Sequence, residues 1–510
     1  MDLTRRTLIG SGAALGGAAL LAACGGAREG GESQASSTPR HGGRLRLGIL
    51  DGERSGNLDA HKPVGIGSII RGFAMYAKPW EWSSRMTPDL ALAELSEVAP
   101  DASYWTIRLR KGLEFHNGKT ITADDLAFSI LRLTDPALAS PYGALVHPVD
   151  RSRVDKLDDR TVRIHFREGR GFVALPDTWT NFGGVVPTDY HPVTNPIGAG
   201  PYKIKEFLPG QRALFTRFEN YFKAGKPYAG ELEIIEFKDP TTRIAALLAG
   251  QIDMANALLP EQAGLLGQSA RLLVSKTNTW QSFDMNMRHP LFQDPRVRQA
   301  FRLIADREDL VRRALQGQGR IGNDLYSPQD PSFDHGIRQR VTDIDQARSL
   351  LRQAGQFNPS VELVASPAGA TSALVFAEQA KKAGVDIRVK KVDLATFNSP
   401  EWKDWAISTG GTLGLSWLPT GLHIDAPTAV ANHTFFKDAR FDRLFTAALA
   451  EPDLSKRTEL VHAAQRIQHE SGGLLIWGFT NILDGISPRV GGIEAEESHF
   501  PTWRFDKLWV

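Results

Sequence analysis

Cysteine is nearly absent: Cys24 stands alone among 510 residues. One thiol cannot form a disulfide within the chain, so the body must be held by its core even in an oxidising compartment. Long apolar runs are missing too. Leu8 to Leu21 is apolar but diluted with Gly and Ala, and at about 14 residues it falls short of the roughly 20 that span a bilayer. No other run approaches spanning length, so a soluble body is expected. An excess of one charge is also lacking. Sixty Lys and Arg against 58 Asp and Glu leave +2, which argues against a dedicated nucleic-acid binder with its basic stripe.

Catalytic and metal signatures are likewise scarce. The 13 histidines form no H-E-x-x-H and have no cysteine neighbours, so no metal and no cofactor are expected. No G-x-S-x-G elbow occurs. "GLEFHNGKT" (Gly112 to Thr120) has five residues between its glycines, where a phosphate loop needs four, and reads as a turn. "GQGRIG" (Gly317 to Gly322) matches G-x-G-x-x-G but follows a helix pattern, where the dinucleotide fingerprint follows a strand. It reads as a helix exit. Asp124-Asp125 fits helix capping, and Glu496-Glu497 a solvated loop. The chain is therefore expected not to be an enzyme.

What is present begins with an export signal. Arg5 and Arg6 give a positive start, the diluted apolar stretch follows, and Ala22 and Ala23 precede Cys24. "TRRTLI" (Thr4 to Ile9) resembles the twin-arginine export motif. "LAAC" (Leu21 to Cys24) resembles a lipobox, in which cleavage before the cysteine exposes it for acylation. Cys24 is then a lipid anchor and residues 1–24 a signal, which places the body outside the cytoplasmic membrane. Residues 25–43 are rich in Gly, Ser and Ala and are expected to be a flexible tether.

The roughly 465 residues from Arg44 onward suffice for two or three domains. Eleven Trp and 25 Phe make a large core credible. Strand and helix patterns alternate. "GRLRLGIL" (Gly43 to Leu50), "SYWTIRLRKG" (Ser103 to Gly112), "TVRIHFR" (Thr161 to Arg167), "VELVA" (Val361 to Ala365) and "VDIRVKKV" (Val385 to Val392) read as strands. "TADDLAFSIL" (Thr122 to Leu131) starts a helix on a Thr cap. Asp239-Pro240 and Asp294-Pro295 each place a cap before a first-turn proline, and Gly250 ends the first of these helices. A short strand is expected at Ile252 to Met254. Asp343 to Gly355, Ala370 to Gly384 and Asp453 to Glu470 are further helices. This alternation predicts an α/β fold.

Five blocks in order resemble the extracytoplasmic solute-binding proteins of ABC importers, in the family that carries peptides, nickel chelates and some oligosaccharides (solute-binding family 5). They are "LDAHK" (Leu58 to Lys62), the stretch from Thr87 to Pro136 with "LRKGLEFHNG", "NPIGAGPY" within Asn195 to Phe222, "DPRVRQAF" within Asp294 to Leu315, and the Asp453 to Glu470 helix. The resemblance implies a two-lobe, type II periplasmic-binding-protein-like fold with an extra inserted subdomain. Lobe I would comprise residues 44–72, 194–280 and 482–510, the inserted subdomain 73–193, and lobe II 281–481. "TWQSFDMN" (Thr279 to Asn286) and "LLIWGFTN" (Leu474 to Asn481) would cross between lobes. The implied partners are a small solute, an ABC permease and its ATPase, and the membrane through the anchor, with the body monomeric. Two crossings let lobes close over a ligand, so that binding becomes a signal.

Crossing strands and nearby loops face such a cleft. Trp417, Trp280 and Trp477 are therefore ligand-binding candidates, since flat rings there would cover a peptide backbone or a sugar face. The alternative for each is a core or hinge-packing residue. Asp425 and Arg443 are weaker candidates, with surface or capping roles as the alternative. Asn195 and Tyr202 flank the Gly198-Ala199-Gly200 turn, read as structural, its glycines allowing positive φ. Peptide-binding members of the family resemble G-W-x-x-D, whose aspartate pairs with the peptide ammonium. Here Thr420 stands three residues after Trp417, and the next carboxylate is Asp425. Either Asp425 swings in, or the ligand lacks a free amine at that end, and the reading leans to the second. Two rival readings stay open, a surface-anchored hydrolase and a sensor or adhesion module on the same fold.

Overall fold

The computed structural model describes residues 38–51, 56–168, 170–180, 183–429 and 431–510. The export signal with Arg5 and Arg6, the anchor Cys24 and most of the expected tether lie outside the described residues. Within them, no helix is long and apolar enough to cross a membrane.

Eleven strands form one mixed sheet that runs through both halves of the body. At one end lie the parallel strands Asp386–Lys391 and Ser360–Ala365, then Ile407–Thr412. At the other lie Arg44–Leu50, parallel to Glu231–Phe237, then the meander Arg212–Arg217 and Tyr202–Leu208. Two long strands, Arg271–Met285 and Leu474–Ile486, join the halves and pair antiparallel with each other. Leu474 to Asn481 falls inside the second, and Thr279 to Asn286 runs one residue past the end of the first. Their ladder slips between Lys276 and Trp280 and again between Gln281 and Ser282, which breaks strict pairing where the halves meet.

A separate four-stranded antiparallel sheet is built from Ala93–Val98, Tyr104–Leu109, Thr161–Phe166 and Val149–Lys156. The helix Ala123–Leu133 packs on it, and the Asp125 carboxylate accepts from the Thr122 N–H at 2.9 Å. One apolar cluster runs from Trp80, Trp105 and Trp179 beside this sheet to Trp280, Trp417, Phe441 and Phe445 in the other half. The halves are thus in contact through buried side chains as well as through the crossing strands.

Local capping drew most helices correctly. Asp239, Asp294, Asp343 and Asp453 each accept a backbone N–H at the start of their helix. Several expectations need correction. The strand expected at Ile252 to Met254 is Met254–Ala255. "GQGRIG" is not merely a helix exit, because Gly319–Ile321 pairs with the second crossing strand. Glu496 is not in a solvated loop, since Arg504 holds it at 2.6 Å. The expected tether reaches Gly43, yet Gly42 N–H already bonds Tyr228 O at 2.9 Å and Gly43 O accepts from Gly230 at 3.0 Å. Gly198 and Gly200 do not serve positive φ. A Cβ at either would run into the Met75 or Ala74 carbonyl, so close backbone approach is what requires glycine there.

Candidate functional site

Three aromatic rings stack in a row where the halves meet. Trp280, on the first crossing strand, lies 6.3 Å from Tyr326 at 27°, and Tyr326 lies 6.3 Å from Trp417 at 25°. Trp417 opens the helix Trp417–Ile424. Pro419 sits in its first turn, where a missing N–H costs nothing. Gly421 lets this helix lie against the Phe445 ring, which any Cβ would strike. The Trp417 backbone N–H donates to Asp330 at 2.7 Å, and its indole N–H to Gln468 at 3.1 Å. Gln468 in turn donates to Tyr326 Oη at 2.8 Å and Asp425 Oδ2 at 2.6 Å. A closed polar network thus fixes the rings from behind.

A cavity of about 490 Å³ opens on the Trp417 side. Its walls come from both halves: Trp80, Trp105 and Asp177 on one, Asp330, Trp417 and Arg457 on the other. Ser416 Oγ donates to Asp177 at 2.7 Å across the gap. Burial pushes the Asp177 carboxyl up to about 6, with Asp330 adding to the rise. Burial also raises Asp330, against the backbone N–H groups of Trp417 and Ser332 that it accepts.

A second cavity, about 260 Å³, lies on the Trp280 side. It is walled by Trp280, Asp284, Phe397, Gly410, His423 and His433 among others. Asp284 accepts from Ser282 Oγ, and His433 Nδ1 stands 3.7 Å from its other oxygen. Gly410 leaves room for this carboxylate, because a Cβ there would overlap it. Burial lowers the His423 imidazole, with His433 contributing, so the ring favours its neutral form. Trp280 is 2 % exposed, yet its indole N–H has no acceptor. Asn278 Oδ1, Thr279 Oγ1, Thr480 Oγ1 and Asn481 Oδ1 nearby on the crossing strands are also buried without partners. The slip leaves Asn278 and Thr279 outside the ladder, whereas Trp280, Thr480 and Asn481 keep their backbone pairing. Of these residues only Trp280 lines either cavity.

The sequence candidates separate accordingly. Trp280 and Trp417 are brought together, each on a cavity wall. Trp477 packs against Phe283 in an apolar cluster and lines neither cavity. Thr420 is buried, its hydroxyl donating to Ser416 O at 2.9 Å. Asp425 is the C-cap residue of the helix Trp417–Ile424, its backbone N–H donating to Gly421 O, and is not a surface group. It is 4 % exposed, bonded inward to Gln468 and Tyr326, and lines neither cavity. Arg443 is exposed on the helix Ala439–Leu449. Asn195 bonds Asp189 O, and Tyr202 is a core residue. Sequence reasoning missed Asp284, His423, His433, Asp177 and Asp330. Asp284 sits inside the quoted crossing "TWQSFDMN", and that position was the one available signal. Among the described residues, no group of three or more His, Cys, Asp or Glu is placed to hold a metal ion.

Comparison with known proteins agrees with this architecture. A profile of the bacterial extracellular solute-binding proteins, family 5, matches residues 86–423. Di/tripeptide-binding protein 2 of Pseudomonas aeruginosa is 26% identical over 427 residues, 74% of this chain and 79% of that protein. Heme-binding protein A of Haemophilus influenzae is 26% identical over 459 residues, 79% of this chain and 81% of that protein. The structure of the oligopeptide-binding protein AppA of Bacillus subtilis with a nonapeptide superposes with a TM-score of 0.76 at 21% identity, covering 93% of this chain and 100% of that one. The fold is the two-lobe, type II periplasmic-binding-protein fold. The chain belongs to family 5 of the bacterial extracellular solute-binding proteins.

Proposed function

We propose that this protein is the solute-capturing component of an ABC importer, taking a peptide or similar small solute into the cleft beside the crossing strands and presenting it to a permease. The carrying observation is the smaller cavity, whose wall holds both Trp280, with an N–H that lacks an acceptor, and the Asp284 carboxylate. A carbonyl or carboxylate oxygen of the ligand would accept from Trp280, and a positively charged end would face Asp284. The division into lobe I, inserted subdomain and lobe II belongs to this reading, as does anchoring through Cys24 after export. The relatives' names, which include di/tripeptide and heme binding, support a small solute and leave its class open.

Mass spectrometry of small molecules released on denaturing the purified protein tests the reading directly. Calorimetry with a released peptide and its N-acetylated form then separates the ligand types. Binding that needs both the free amine and Asp284 supports a charged-end ligand. Equal binding of both forms supports a neutral solute. Hydrolysis of the ligand by the purified protein would overturn the carrier reading in favour of an enzyme.

A further inference from the structure

The larger cavity, about 490 Å³, falls in the size range of small-molecule sites, and its walls are selective about charge. Its charged lining residues are Asp177 and Asp330 against the single cation Arg457. That cation is turned toward the segment before its own helix, Leu454–Ser471, where its Nη1 donates to the Glu451 and Pro452 carbonyls at 2.7 and 3.1 Å. The two carboxylates meet consecutive residues. Ser416 Oγ donates to Asp177 at 2.7 Å, and the Trp417 N–H donates to Asp330 at 2.7 Å. Burial raises both carboxyls, and Arg457 offsets only part of the rise.

The indole donors and the Ser416 hydroxyl on these walls are already committed within the protein. Trp80, Trp105 and Trp417 give their N–H groups to Ser96 Oγ, Phe172 O and Gln468 Oε1 at 3.2, 2.8 and 3.1 Å. Acceptor capacity remains. Asp330 takes one backbone N–H on each oxygen, from Ser332 at 2.8 Å and from Trp417, and each oxygen has a second lone pair. With their N–H groups so bound, the three indoles are left to offer ring surface, which attracts a cation. Trp80 and Trp105 stand edge to face with centroids 6.1 Å apart, so two of the rings form a corner. An anion would meet two carboxylates here, and a neutral solute would leave them without a compensating charge.

We propose that the larger cavity binds an organic monocation, a flat apolar body carrying a primary ammonium, with the ammonium donating to Asp330 beside Asp177 and the body lying against the indoles. This ligand class rests on the carrier reading, in which a small solute is taken where the halves meet.

The test is calorimetry on the purified protein at pH 7.5 with three indole probes of similar shape: tryptamine, a cation; N-acetyltryptamine, neutral; and indole-3-propionate, an anion. Tryptamine is expected to bind at least about tenfold tighter than either of the others, the margin of a hydrogen bond to a charged group. Asp330→Asn should weaken tryptamine about tenfold. Arg457→Gln should tighten it about threefold, because a like charge leaves the wall, and a misfolded variant cannot gain affinity. Equal binding of the three probes, no binding of tryptamine, or unchanged tryptamine affinity in Arg457→Gln overturns the proposal. So does a loss in Asp284→Asn with none in Asp330→Asn, which would place the cation in the smaller cavity. Binding is read on the protein alone, so hydrolysis of a released solute would sink the carrier reading and leave this result standing.

Discussion

Ser416 Oγ donates to Asp177 Oδ1 at 2.7 Å, tying the start of the helix Trp417–Ile424 to the opposite half of the molecule. Beside it, Val173 N–H bonds Leu449 O at 2.8 Å, so the halves are latched at two points along one cavity rim. Ser416→Ala removes the first latch and leaves the second. A hydrogen bond of this kind contributes about 1 kcal/mol, so ligand affinity should fall about fivefold. Ligand-free protein should also become less compact in solution scattering. Unchanged affinity and compactness would show that the link carries no part of closure.

Trp280→Phe keeps a flat ring in the stack and deletes the N–H that lacks an acceptor. The ligand-free protein should unfold at the same temperature or slightly higher, since an unsatisfied buried donor is lost. Ligand affinity should drop about fivefold to tenfold. The split between stability and binding, read by thermal unfolding and calorimetry, distinguishes a recognition group from a core residue.

Asp425 gives a pH signature. Burial raises its carboxyl to about 6, against an ordinary value near 4 in the unfolded chain. The folded state therefore holds the proton more tightly, and stability from this group falls as pH rises from about 4 to about 6. Above that range the cost is fully present, on the order of 2 kcal/mol. Asp425→Asn should accordingly stabilise the protein at pH 7.5 and give little gain at pH 4, measured by urea unfolding. Ligand affinity should be unaffected, because Asp425 lines neither cavity.

Cys24→Ser should leave the protein unprocessed, or released from the membrane fraction, while the body folds as before. Replacing Arg5 and Arg6 by Lys should block export. A mature, lipidated Cys24→Ser form would sink the anchor reading, and unaffected export of the Lys variant would point to the general secretory route.

The sequence revealed those parts of the structure that are governed by neighbours in the chain. Asp239 and Asp294 sit immediately before Pro240 and Pro295, and a cap followed by a first-turn proline acts within one helical turn. Trp280 draws attention by its place on an expected crossing, and Trp417 by a stretch compared with G-W-x-x-D; each lines a cavity. Asp284 and His433 escaped because distant segments bring them within 3.7 Å, and no spacing records that. Asp425 is the opposite case. Its order after Trp417 suggested a substitute for a missing carboxylate, but the helix turns it toward Gln468, a residue on another helix that its own stretch does not mention. Gly198 and Gly200 were seen as special, yet only the folded chain shows that the Met75 and Ala74 carbonyls are what they make room for.

The Trp280–Tyr326–Trp417 row is a party wall: one outer ring borders the smaller chamber and the other borders the larger. A tenant that pushes on either ring pushes on the tier between, and packed rings shift together or not at all. A solute that displaced one outer ring would have to displace Tyr326 with it, and any coupling so produced would act equally in both directions.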